Sequence, residues 1–142
     1  MDRVSIWRYN GPRTGIHCLD LFERDANRHS AGVEISEADN PAYFHALTEA
    51  DVLAADDAHR DPRTTAFSPG YLTPLGITSM MDAVIRLGGG VVGVLCCERT
   101  GRMRRLTHDE QTFAVALANL VAMSLTGFED GRLVVSQRDA VS

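Results

Sequence analysis

Ser79–Glu98, SMMDAVIRLGGGVVGVLCCE, decides how the chain folds: it reads as two β-strands joined by a glycine turn. Gly88, Gly89 and Gly90 all accept positive φ, which tight hairpin turns need and other residues resist. Ahead of the turn, Met81, Ala83, Ile85 and Leu87 alternate with Met80, Asp82, Val84 and Arg86. One face is therefore wholly apolar and the other mixed. Beyond the turn, Val91 to Cys97 is apolar on both faces, the pattern of a central strand covered from two sides. A two-residue turn at Gly88-Gly89 sets Asp82 opposite Leu95, whereas a three-glycine loop sets it opposite Cys96. Both registers keep Asp82 on the mixed face, where a buried carboxylate needs a partner from the protein or from a ligand.

At 142 residues the chain is one domain with room for a real core. A net charge of −5 argues against a nucleic-acid module, which needs clustered Lys and Arg. Arg99, Arg102, Arg104 and Arg105 do gather, as a solvated turn would. Cys18, Cys96 and Cys97 are too few for a disulfide framework, and adjacent strand cysteines point to opposite faces. Reduced thiols, with no signal peptide, lipid motif or long apolar span, predict a cytoplasmic chain that does not enter a membrane.

In chain order, Arg3 to Tyr9 alternates Val4 and Ile6 against Ser5, Trp7 and Tyr9, as a strand does. Asn10-Gly11-Pro12 is a turn, and Ile16 to Arg24 a second strand. Asp25 to Ser30 interrupts it, and Gly32 to Ile35 reads as a short third strand. Asn40-Pro41 starts a helix, with Asn as N-cap and Pro at the first helical position. Asp51 to Ala55 is a fourth strand. Asp56 to Thr73, DDAHRDPRTTAFSPGYLT, has no clean period and is a long functional or mobile loop. Thr107 to Glu110 matches a capping box, opening a helix to about Leu125. That helix has two apolar stripes: Phe113, Leu117, Leu120 and Val121 on one, Val115, Ala118, Ala122 and Leu125 on the other. The class is α+β, an antiparallel sheet with helices on its faces.

RVSIWRY, PAYFHAL, AADDAHRDPRT, YLTPLGITSMMDAVIRLGGGVVGVLCCERTG and LTHDEQTFAVALANLVAMSL, in that order, together resemble GAF domains. The likeness is to those that serve as sensory inputs of bacterial histidine kinases and diguanylate cyclases. It covers Arg3 to about Leu125. It implies a GAF/PAS-like antiparallel sheet of about six strands, with a C-terminal helix on one face and a pocket roofed by loops and helix on the other. Residues 56–73 are then the roof, and the mixed face of the hairpin is the floor. The domain spans 1–127 and a tail 128–142, expected to be frayed. The family's usual first helix has no counterpart here, so the expectation is either a truncated start or a second copy or another protein covering the second stripe of the last helix.

The resemblance makes Asp57 and Arg63 shapers of the roof; Arg63 pairs with an anionic ligand or with a neighbouring carboxylate. Trp7, Phe67 and Tyr71 either stack on a flat ligand or fill core, with Met80 as soft filler beside Asp82. These seven are the candidate ligand-binding residues. Asp56, Asp57, His59 and Asp61 lack a metal-ligand spacing and read as backbone caps. A lone loop histidine such as His59, or His45, faces solvent more often than it binds haem. Covalent bilin attachment needs a roof cysteine, and residues 56–73 hold none. The expected function is a non-catalytic sensor of an unidentified small molecule in bacterial signal transduction, signalling through a homodimer or a partner protein on the last helix. The residues name no cofactor. The alternatives are a dimerisation module without ligand and a redox enzyme like the GAF-fold free methionine sulfoxide reductases.

Overall fold

The computed structural model describes the backbone of residues 1–141 and the side chains as far as Leu125. The order of elements is β1 (Arg3–Tyr9), β2 (Gly15–Glu23), β3 (Arg28–Ser30), β4 (Glu34–Ser36), α1 (Pro41–Leu47) and β5 (Val52–Ala55). After a run of turns come α2 (Thr73–Leu75), β6 (Ile77–Leu87), β7 (Gly90–Thr100) and α3 (His108–Val141). Among the described residues seven strands make one sheet, ordered β3-β2-β1-β7-β6-β5, with β4 also on β2. Every pairing is antiparallel.

The long β6–β7 hairpin is the spine. Leu87 pairs with Gly90, so the turn is the two-residue one, Gly88-Gly89, with φ of 59° and 85°. Asp82 nevertheless lies opposite Cys96. The register slips by one between Ile85, opposite Gly93, and Arg86, opposite Val91, leaving Val92 as the extra residue of a β-bulge. A tight turn plus a bulge thus yields the register expected of the longer loop.

The alternation sorts the core into two layers. Trp7, Cys18, Met80, Val84, Val94 and Cys96 face the lid side, where α1 and the turns before β6 cover them. Met81, Ala83, Ile85, Leu95 and Cys97 face α3. The seat of α3 keeps Ala118 and Ala122 of the second expected stripe and takes Ala114 in place of Val115. Its buried line is Ala114, Ala118 and Ala122, small residues four apart that let the helix axis approach the sheet. Leu117, Val121 and Leu125 pack at the flank, while Phe113, Leu120 and Met123 stay exposed. The capping box forms as expected: the Glu110 amide donates to Thr107 Oγ1 (3.1 Å) and the Thr107 amide to Glu110 Oε1 (3.0 Å). The helix continues past Leu125 to Val141, and the expected boundary at 127/128 lies outside the described side chains.

Three other local expectations change. Two short strands, Arg28–Ser30 and Glu34–Ser36, stand where Gly32 to Ile35 was expected to give one. Both pair with β2 through backbone groups, which polar residues do as well as apolar ones. Asn40 precedes α1 without capping it; its side-chain amide donates to Ser36 O (3.1 Å), and Pro41 opens the helix. Residues 56–73 are not a plain loop: a 3-10 turn (Thr65–Phe67), a π turn (Ser68–Leu72) and α2 follow one another, stopped by Gly76 at φ 67°.

Candidate functional site

The lid side of the sheet carries a polar row inside an apolar layer. Reading across the strands, Asp82 on β6 lies opposite Cys96 on β7, and Cys96 opposite Ser5 on β1. In the next row Met80 lies opposite Glu98, and Glu98 opposite Arg3. Strand alternation therefore aims Asp82, Cys96, Glu98, Arg3 and Ser5 into one interior. Asp82 and Glu98 are both 0% exposed and Arg3 is 7% exposed, unusual places for charge.

Each buried carboxylate is half satisfied. The Tyr43 hydroxyl, on α1, donates to Asp82 Oδ2. Arg3 Nε donates to Glu98 Oε1 at 3.1 Å, and the Tyr71 hydroxyl, from the π turn, donates to the same oxygen at 3.0 Å. Asp82 Oδ1 and Glu98 Oε2 have no hydrogen-bond partner among the described residues. Arg3 is divided, since its Nη1 also lies 3.4 Å from Glu23. Burial pushes the Asp82 carboxyl up to about 7; the Cys96 thiol and Tyr43 hydroxyl pull it back, and the charge of Glu98 adds to the rise. Burial raises Glu98 as well, against the hydrogen bonds and charge of Tyr71 and Arg3.

The lid is built from aromatic edges and short ties. Tyr43, Phe67 and Tyr71 meet edge to face, with centroids 5.0 Å and 6.2 Å apart along the series. Arg63 clamps Asp61 with Nε (2.9 Å) and Nη2 (2.6 Å), and Nη2 also reaches Ala54 O on β5 (3.0 Å). His59 is not solvent-facing as expected. Its Nε2 lies 2.8 Å from Ile77 O, so that nitrogen carries the proton and donates, and Nδ1 accepts from Ser68 Oγ at 2.6 Å in the neutral ring. That bond pins the lid to the start of β6. Asp56 Oδ1 accepts the Leu106 amide (2.7 Å), anchoring the approach to α3.

Of the seven candidate residues, the structure brings five together: Trp7, Phe67, Tyr71, Met80 and Asp82 all lie in the lid-side layer. Asp57 and Arg63 lie apart from it, Asp57 beside Arg60 (3.7 Å) and Arg63 on Asp61. Sequence reasoning missed Glu98, Arg3, Tyr43 and Cys96. The signal was present in parity: Val94, Cys96 and Glu98 step by two along one strand. A cavity of about 20 Å³ bounded by Arg3, Trp7, Cys18 and Tyr71 has room for one water. The thiols are buried and unpaired. Burial raises Cys18 and Cys96, and pushes Cys97 up to about 12, so all three stay protonated at neutral pH.

The comparisons agree with this architecture. The chain matches the GAF domain model over residues 1–125. No curated protein matches. Among solved structures it is similar to the GAF domain of a sensor histidine kinase from Bacillus halodurans (20% identity, 90% of this chain and 83% of that one, TM-score 0.66). It is also similar to the blue-light-absorbing PixJ GAF domain of Thermosynechococcus elongatus (13%, 96% and 80%, TM-score 0.74). A third is the type II free methionine-R-sulfoxide reductase of Thermoplasma acidophilum (16%, 89% and 80%, TM-score 0.65). At such identities these three speak for the fold alone. An antiparallel sheet seated on a C-terminal helix, lidded on its other face, and a family match over most of the chain lead to one conclusion: this chain belongs to the GAF domain family.

Proposed function

We propose that this is a non-catalytic sensory GAF domain of bacterial signal transduction, acting in the cytoplasm. It takes a small polar molecule between the mixed face of β6–β7 and the lid, residues 58–75. Occupancy orders the lid, and α3 carries the change outward to a second copy of this chain. A ligand shifts such an equilibrium only by its difference in affinity for the two lid states. The observation that carries this reading is the pair of orphaned carboxylate oxygens, Asp82 Oδ1 and Glu98 Oε2, beneath a lid of short helical turns. Among the described residues no helix is long and apolar enough to cross a membrane. Three buried, protonated thiols support a non-enzymatic role.

Native mass spectrometry of freshly purified protein, paired with amide exchange, tests it. A co-purified molecule that slows exchange in residues 58–75 is expected. Equal exchange with and without that molecule overturns the reading.

A second reading, a dimerisation module without ligand, is favoured by the filled interior under the lid, where Tyr43, Phe67 and Leu72 are buried. Phe113, Leu120 and Met123, exposed on α3, supply its interface. Sedimentation separates the two. A dimer that Leu120→Ser dissociates, in protein carrying no small molecule, favours the module over the sensor.

A further inference from the structure

We propose that the molecule held under the lid presents a compact cationic hydrogen-bond donor, a primary ammonium or an amidinium, to Asp82 Oδ1 and Glu98 Oε2. This rests on the sensory reading above and adds the chemical class of its ligand. Buried polar atoms in native proteins are nearly always paired, so two fully buried acceptors without donors mark a place where donors belong. The two are neighbours: Asp82 faces Cys96, and Glu98 is two residues along the same strand. Both side chains thus enter the interior beside Cys96.

Charge then selects among donors. Two carboxylates are fully buried here, and the guanidinium nearest them, Arg3, is shared between Glu98 and Glu23. Once Asp82 is ionised, above about pH 7, a neutral ligand fills the hydrogen bonds but leaves net negative charge out of water, which is the costlier defect. An anion adds to it. A bare divalent cation needs six or more oxygens, and two stand free. A nitrogen cation with two or more N–H groups answers both deficits together. Trp7, Tyr43, Phe67 and Tyr71 line the same interior. Both carboxylates are fully buried, so entry requires the lid to yield; the Tyr71–Glu98 bond is the tie that must be exchanged.

The groups around Asp82 that carry charge or titrate are Tyr43 of α1, Cys96 and Glu98 of β7, Arg3 of β1 and Tyr71 of the lid. Burial raises Tyr43, Cys96 and Tyr71, so near neutrality Asp82 is the group that changes charge. Binding of a cation should accordingly tighten as pH rises from 6 to 8.

The test uses the full chain and methylammonium chloride, with tetramethylammonium chloride, equally charged but lacking N–H, as control at matched ionic strength. Methylammonium is expected to raise the melting temperature saturably and to slow amide exchange in residues 65–75 at least tenfold, more at pH 8 than at pH 6. Tetramethylammonium should do neither. Asp82→Asn and, separately, Glu98→Gln should each lose the response, while Cys97→Ser, on the helix face, keeps it. Equal responses to the two salts, or none to either, overturn the proposal, and the wild-type titration decides this whether or not the variants fold. If a neutral or anionic co-purified molecule protects the lid and methylammonium does not, the cationic assignment falls and the sensory reading stands. If nothing protects the lid, both fall.

Discussion

Asp82 shows how one residue can be tuned by position alone. On an exposed loop it would ionise near its ordinary 3.8; buried under the lid it is pushed up to about 7. The folded state thus holds a proton that the unfolded chain releases. The stabilising contribution is full below about pH 4 and is lost as pH rises through about 7. A rise of that size corresponds to roughly 4 kcal/mol between the two limits. Urea midpoints should therefore fall from pH 5 to pH 8 in the ligand-free protein. In Asp82→Asn, which keeps an oxygen for the Tyr43 hydroxyl, that slope should be much shallower. A flat wild-type profile would contradict the burial argument.

At the scale of elements, the hairpin, the capping box and most strands were legible because their chemistry is local. Glycines mark the turn, Thr and Glu three apart mark the helix start, and alternation marks a strand. Thr107→Ala, which removes half of the box, should cost about 1 kcal/mol, roughly 3 °C of melting temperature at this chain length. What stayed hidden depends on contacts between elements. Whether Asp82 meets Leu95 or Cys96 turns on the bulge at Val92, which no residue type announces. Ala114 joined Ala118 and Ala122 in the seat of α3, a place the sequence pattern assigns to the larger Val115. Arg3 and Glu98 lie 95 residues apart, so nothing in either segment predicts their pairing. Gly93 was equally silent. A Cβ there would lie 2.0 Å from Trp7 O, where β1 passes close. Gly93→Ala should therefore cost about 3 kcal/mol or more, read as a lower urea midpoint at unchanged slope.

The whole molecule is one sheet dividing two interiors, an apolar layer with a polar row beneath the lid and a wholly apolar one beneath α3. Its thiols are sheltered in both, so disulfide-exchange reagents should label native protein only as fast as the fold opens. Stoichiometric labelling within seconds at pH 8, compared with the unfolding rate, would instead revive a redox role. The adjacency of Cys96 and Cys97 also gives the protein a built-in pair of spectroscopic channels. Isotopically labelled cysteine would yield resonances from Cys18 and Cys96 on one side of the barrier and from Cys97 on the other. An event confined to the first compartment moves only the first two signals; one that crosses the barrier moves the third.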